Sequence, residues 1–464
     1  GLITGALWAR ATWGAFWTND VKLNGAAVTG LIYVAYLVLR GSVQDAHKRA
    51  RLAAIYNIFA FVLLVLYHVG MLYVPWDFHV KLPPAYPALE PLMRLTNPWR
   101  MSLLFVVSGL ATGLMLGRAG LARQRCKRLL LPLLFGMAVI VPPQAWAQVR
   151  EQFGYTGGYL DFLRLYFGAY GGFCDAKQCL VLPTWNHLWF LPYLWSYTML
   201  LLWALRLLPQ AWRRHAADAL ARLAGWRLLL LPLLLLGALR LLLFPHFGET
   251  HALLDDWAAH AAYGPMFAFG VLLARRRVLL ASLQALRWPA LALGLAGWLV
   301  LALYPGTVPG WPSMPEAWRA PMRLAFAVVQ WCGVVAAFGF ARRHLDFDHR
   351  WRAPLTEAVY PLYLVHQTIV IAAAVALRPL ALAAGVQAAL IVALTFGGGF
   401  AAWRLARRIA WLRPWMGLSP AQRRAAALRR AAPRREASGL RLTAYGAGAD
   451  RRRRAAAAAG RHGR

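Results

Sequence analysis

The stretch Ala53–Pro75, AAIYNIFAFVLLVLYHVGMLYVP, runs for 23 residues without an Asp, Glu, Lys or Arg. A helix needs about 20 apolar residues to cross the hydrocarbon core of a bilayer, so this length reads as one membrane-spanning helix. A barrel strand would be shorter and would alternate polar with apolar positions, and this segment does neither. Its one side chain that titrates near neutral pH is His68.

Outward from this segment the pattern repeats. Apolar runs at about 23–40, 53–75, 99–117, 129–147, 186–207, 225–245, 258–274, 288–304, 321–341, 354–377 and 383–403 predict eleven spans and an all-α, polytopic transmembrane helical bundle. Of the 464 residues, 60% are hydrophobic and 15% charged; soluble globular chains carry about 25% charge, so a simple soluble enzyme is excluded. The net charge of +34 looks at first like a nucleic-acid footprint. Its placement argues against that. Residues 421–464 hold 13 Arg against Glu436 and Asp450, and most other cations sit in alternate short loops, such as Arg123, Arg125, Lys127 and Arg128, or Arg275, Arg276 and Arg277. Cations held on the cytoplasmic side produce that punctuation, which places the N-terminus outside and the C-terminus in the cytoplasm, with the lipid bilayer as partner and no nucleic acid. Cys174 and Cys179 fall in an outer loop, where pairing and two free thiols are both open readings.

Titratable side chains at membrane depth are expensive and mark functional sites. His68 in LLVLYHVGM, His187 in TWNHLWFLPYLW and His366 in VYPLYLVHQ qualify. On the expected topology His68 lies roughly 22 Å, and His366 roughly 18 Å, from the cytoplasmic ends of their helices. His187 enters its helix from outside, so all three belong to the outer half and can converge on one cavity. A second constellation is cationic: in LARQRCKRLLLPLLFG, Arg125 and Arg128 stand three residues apart on one helix face, a spacing that lets two guanidinium forks grip phosphates or simply stops transfer through the membrane. His251 with Asp256 mimics a His-x4-Asp box but sits in a loop. His344, Asp346, Asp348 and His349 have metal-ligand spacing in a basic loop and read as a solvated connection. No metal site, Walker loop or dinucleotide motif is expected.

From about Ala60 to Trp415 the chain resembles the integral membrane acyltransferase 3 family, which includes glucans biosynthesis protein C and O-antigen acetylases. The residues that carry the likeness are LLVLYHVGMLYVPW with His68, NPWRMSLLFVVSGLATG with Ser108 and Gly109, Arg125 and Arg128 before LLLPLLFG, NHLWFLPYLW, FAFGVLLARR, and YPLYLVHQ with His366. The resemblance implies a ten-span core that moves an acyl group, with acyl-CoA as donor and no resident cofactor, to a hydroxyl of a sugar or glycan acceptor at the outer face of the bacterial inner membrane. It implies His68 as the catalytic residue and Arg125 and Arg128 as the CoA-binding element; His187 and His366, which would orient His68 or line the acceptor site, and Ser108 are expected at the substrate site. One departure stands out. The family's Asp-x-x-Arg, with its Arg eleven residues before the histidine, is replaced by Ala54 and Asn57. Eleven residues return to nearly the same helix face, so Asn57 is expected to look into the cavity from below.

The first 59 residues explain that departure as a join. WGAFWTNDVKLNGAAVTGLIYVAYLVLRG, with Trp13, Gly14, Trp17 and Asp20, resembles the tryptophan-rich segment and helix of haem exporter protein C, a cytochrome c assembly component. The chain begins with Gly, which fits a fusion or chimera joined near Ala60. Haem binding needs axial ligands, and no His occurs between Gly1 and Ala46, so haem is not expected. The expected organisation is 1–59 haem-exporter-like, 60–415 acyltransferase membrane domain and 416–464 basic low-complexity tail. The alternative to an acyltransferase is a haem-handling assembly protein or a non-catalytic transporter.

Overall fold

The computed structural model describes residues 45–175, 179–303, 315–345 and 349–419. The expected first span at 23–40 and most of the basic tail lie outside the described residues. Among those described, the helices of nine residues or more are α1 Asp45–Met71, α2 Glu90–Met115, α3 Leu121–Phe135, α4 Pro142–Gln152, α5 Tyr159–Phe167, α6 Phe190–Leu207, α7 Gln210–Ala221, α8 Trp226–Leu242, α9 Trp257–Leu273, α10 Arg277–Ala285, α11 Arg287–Leu303, α12 Glu316–His344, α13 Arg352–Leu377 and α14 Ala384–Arg408. The only β pairing among the described residues is an isolated bridge between Cys174 and Cys179, which form a disulfide.

Each expected apolar segment from 53–75 to 383–403 is helical, but they do not all qualify as crossings. Six helices are long and apolar enough to span a membrane, or eight if each of two bent pairs makes one span. The bent pairs are α3 with its continuation and α4, at 47°, and α10 with α11, at 59°. The first bend follows from Pro142 and Pro143: neither has an N–H to give to the preceding turn, so the helix restarts there. Just before the bend the backbone widens into a π turn, Gly136–Ile140. α8 and α9 have 17 residues each, at the short end of the roughly 17–25 that a crossing takes. Of the eleven expected spans, six to eight thus meet the length and composition of a crossing among the described residues, and the first lies outside them.

Small residues decide how the helices pack. In the run Ser108–Gly113, SGLATG, the glycines face α9: a Cβ on Gly109 would stand 2.0 Å from the Phe267 carbonyl oxygen, and one on Gly270 would stand 2.0 Å from that of Val106. No side chain fits at either position, which is how glycines four apart let membrane helices touch backbone to backbone. α12 is the central post and packs on α1, α2, α8, α10 and α11. Polar groups fix its register: Trp331 Nε1 donates to the Leu228 carbonyl at 3.0 Å, Gln330 Nε2 to Ser102 Oγ at 2.9 Å, and the Tyr56 hydroxyl of α1 to the Phe338 carbonyl at 2.6 Å. In hydrocarbon such groups have no water to fall back on, so each bond selects one alignment. α13 lies between α1 and α14, which brings His366 against His68.

Candidate active site

α1, α2, α8 and α13 enclose one side of a cavity of about 1280 Å³, and the loops before α6 and after α8 close the rest. Of the three histidines singled out in the sequence, His68 and His187 line it, and His366, which is not on the lining, contacts both. His68 Nδ1 and His366 Nε2 are 2.9 Å apart, with the two rings stacked at 5.0 Å. The His187 ring stands at right angles to that of His366, also at 5.0 Å. His366 and His187 are buried and His68 is half-buried.

Hydrogen bonding fixes which nitrogen carries each proton. His366 Nδ1 lies 2.6 Å from the Tyr363 carbonyl oxygen. A carbonyl only accepts, so Nδ1 is the donor and Nε2 of the neutral ring is the acceptor. His68 must then donate through Nδ1, which leaves its Nε2 with a lone pair and no hydrogen bond among the described residues. His187 is consumed at both ends: Nε2 donates to the Leu364 carbonyl at 3.0 Å, and Nδ1 accepts from Gln144 Nε2 at 3.4 Å. Gln144 sits at the start of α4, just past the proline bend, and is held by Thr368, Asn186 and Gln367. The π turn serves the same network, because its Ile140 carbonyl accepts from the Thr368 hydroxyl at 2.8 Å. Of the three histidines, only His68 keeps a free ring nitrogen on the cavity.

The segment 72–86 roofs the cavity. Lys81 caps the end of α1, donating to the carbonyls of Met71, Val74 and Trp76; a cation there also suits the negative end of the helix dipole. Phe78 stacks on His68 at 6.1 Å, and His79 Nδ1 donates to Gln148 Oε1 at 2.7 Å. Burial pushes the His79 pKa below the ordinary imidazole value, with the Gln148 bond opposing. His251 lies on the other rim with its ring stacked 4.2 Å from Trp189. Burial lowers its pKa too, against the nearby Glu249 and Asp256 carboxylates. The His251–Asp256 spacing has a structural explanation: Asp256 accepts from the His251 backbone N–H at 2.9 Å and from the Tyr193 hydroxyl at 2.7 Å, tying the loop to α6.

The other expected site residues lie elsewhere. Arg125, Arg128 and Ser108 are not among the cavity-lining residues. Arg125 is buried and donates to Thr112 Oγ1 at 2.7 Å, and the Thr112 hydroxyl in turn donates to the Ser108 carbonyl. Arg128 is exposed, 6.0 Å from the Tyr360 ring. From Arg125 to Met137, which lines the cavity, the chain rises roughly 18 Å. Asn57 is half-buried and also off the lining. The α1 face of the cavity ends at Leu64, and below it the Phe61 ring packs edge-on against His366 and Phe396. Asp346 and Asp348 lie outside the described residues. Among those described, no three His, Cys, Asp or Glu side chains gather as metal ligands.

Five charged residues on the lining are absent from the expected site: Asp77, Arg100, Arg240, Glu249 and Asp255. Arg100 and Arg240 sit inside apolar helices, and Glu249 faces Arg240 from the loop. An arginine in NPWRMSLLF or GALRLLLF is the same depth signal that identified the histidines, and it was there to be read.

These features define a multi-pass integral membrane protein of the bacterial inner membrane, with a polar cavity built around an intramembrane histidine cluster. Residues 58–404 match the acyltransferase 3 family, described as an acyltransferase domain, and the chain belongs to that family. Residues 1–76 match a second family, cytochrome c assembly protein. Similar curated proteins include a cytochrome c biogenesis protein CcsA of Prochlorococcus marinus, 42% identical over 67 residues, which are 14% of this chain and 21% of that protein. Heme exporter protein C of Bradyrhizobium diazoefficiens is 37% identical over 54 residues, 12% of this chain and 20% of that protein. A CcsA of a Synechococcus species is 32% identical over 71 residues, 15% of this chain and 22% of that protein. The chain thus spans about a fifth of the length of these relatives. No solved structure matches it. The two family matches overlap over residues 58–76, which begin inside α1, and that helix runs unbroken through the expected join near Ala60.

Proposed function

We propose that this chain is a membrane O-acyltransferase that moves an acyl group from cytoplasmic acyl-CoA to a hydroxyl of a sugar or glycan at the outer face. The observation that carries this reading is the free Nε2 of His68, held in one tautomer by the relay His68 Nδ1–H to His366 Nε2 and His366 Nδ1–H to the Tyr363 carbonyl. His68 Nε2 takes the proton of the acceptor hydroxyl as the oxygen attacks the thioester carbonyl carbon. The carbon–sulfur bond breaks, and the departing thiolate takes the proton back from Nε2. His366 positions His68 and bears part of the charge that develops on it. His187 holds α6 to α13 and shapes the acceptor side. Arg125 and Arg128 bind the CoA phosphates at the cytoplasmic end of α3, and the thioester arm extends past Leu64 and Met137, whose side chains move aside to admit it.

A second reading comes from the N-terminal likeness to cytochrome c assembly proteins: haem handling without covalent chemistry. One preparation separates the two. Purified full-length protein in liposomes is expected to release CoA from acyl-CoA when a glycan-bearing membrane extract is added, and to show no Soret absorbance after incubation with haem. Soret absorbance with no release of CoA would reverse the choice.

A further inference from the structure

The mechanism above leaves two buried cations unused. Arg100 of α2 is 6% exposed and Arg240 of α8 is 9% exposed, and both line the same cavity as His68. Arg100 Nε and Nη1 and Arg240 Nε are buried without a hydrogen-bond partner among the described residues. Two carboxylates close by are engaged. Glu90 accepts from Arg94 at 2.6 Å and from Trp76 at 3.0 Å, while Glu249 accepts from Arg240 and from the Tyr263 hydroxyl, each at 3.4 Å. The Arg100 guanidinium lies 3.4 Å from the Tyr67 ring centroid, and the Arg240 guanidinium 3.5 Å from that of Phe326. Stacking on a ring face orients a guanidinium and leaves these in-plane N–H groups open. Buried guanidinium N–H groups left open in this way are destabilising unless an acceptor completes them.

We propose that Arg100 and Arg240 form an oxyanion-binding subsite, so that the acceptor carries a phosphate or a similar anionic group close to the hydroxyl that is acylated. The inference rests on the acyltransferase reading for its word acceptor, but the subsite itself stands on the two arginines. Tyr67 links the subsite to the reacting centre: its ring is 6.1 Å from that of His68, and its hydroxyl is steadied by Asn97 Oδ1 at 3.2 Å. A guanidinium fork above this ring therefore stands within the span of one small acceptor from His68 Nε2. Paired N–H donors suit phosphate oxygens, and Glu249 beside Arg240 keeps the subsite from carrying two uncompensated charges when empty.

The test uses the full-length chain in phosphatidylcholine nanodiscs, with binding of sn-glycerol 3-phosphate and of glycerol measured by calorimetry. Glycerol phosphate is expected to bind at least ten-fold more tightly than glycerol and to be displaced by inorganic phosphate. Arg100→Gln should weaken it at least ten-fold and Arg100→Lys by less; because the readout is binding and not acyl transfer, failure of the catalytic assignment does not mimic failure of the subsite. If Arg100→Gln does not purify as a folded protein, the wild-type comparison of glycerol phosphate with glycerol decides alone. Equal binding of the two, an Arg100→Gln affinity within two-fold of wild type, or displacement by CoA, which would give the arginines to the donor, overturns the proposal. Exchanging phosphatidylcholine for phosphatidylglycerol distinguishes the sources, and either result supports the subsite. Competition by the anionic lipid means the phosphate belongs to a headgroup; no competition means it belongs to a phosphorylated glycan.

Discussion

Replacing His366 tests whether the histidine pair works as a relay. The substitution His366→Leu removes the acceptor of the 2.9 Å bond from His68 Nδ1 while filling a similar volume at a buried position. In the resting enzyme that bond joins two neutral rings, worth about 1 kcal/mol net, whereas in the transition state the His68 ring becomes cationic and a bond to it is worth about 1.5–3 kcal/mol. The difference, roughly 1–2 kcal/mol, falls on the chemical step and predicts a kcat lowered about 5–30-fold with the KM for acyl-CoA unchanged. His366→Gln should recover part of the loss, because its amide oxygen accepts from His68 Nδ1. The assay is CoA thiol release with a saturating glycan acceptor, with kcat and KM resolved separately. An unchanged kcat in His366→Leu, or a loss as complete as that of deleting His68, would refute the relay.

Other outcomes follow from the same geometry. Arg128→Gln should raise the KM for acyl-CoA by an amount that vanishes at about 0.5 M salt, since an exposed cation is screened, whereas the effect of Arg125→Gln should persist in salt because that guanidinium is buried on Thr112; competition binding with CoA over a salt series distinguishes them. Gly270→Val is expected to lower the yield of folded protein sharply, read by size-exclusion profile, because its Cβ would meet the Val106 carbonyl at 2.0 Å. His79 has a pKa lowered by burial, so the unfolded roof binds its proton more readily than the folded one. The stability of segment 72–86 should be full above about pH 6.5 and decline as pH falls below it, which hydrogen exchange at pH 7.5 and 5.5 measures; His79→Asn should flatten the difference. Asn57→Arg with Ala54→Asp should reduce inserted protein without raising activity, since Asn57 is off the cavity lining.

The sequence was most legible where a physical cost forces a pattern. Apolar length alone located the α6 span nearly to the residue and the apolar part of α1, whose helix starts earlier at Asp45 and ends at Met71, and depth in an apolar run found His68, His187 and His366. Length was a weaker guide to crossings. A run such as 129–147 hides a proline bend, and 17-residue helices such as α8 read like longer ones. The helical period puts Asn57 near the His68 face in angle, but angle says nothing of where a cavity stops, and Phe61 packs below it against His366 and Phe396. Arg125 and Arg128 looked alike in sequence; tertiary packing buries one under Thr112 and leaves the other exposed. The histidine tautomers required the carbonyls of Tyr363 and Leu364, which no spacing reveals, and Gln144 became visible only once the bend brought α4 back toward α13.

The central claim is that His68 Nε2 is the base of an acyl transfer, and its most direct measurement is acyl transfer by His68→Ala. Reconstituted wild-type and His68→Ala protein, matched for insertion and for CoA binding, are given acyl-CoA labelled in the acyl group, and label on the glycan acceptor is counted. A general base contributes roughly 10²–10⁴-fold, so the account predicts that His68→Ala retains less than a hundredth of the wild-type rate while still binding CoA. Retention of a tenth or more of that rate would contradict it.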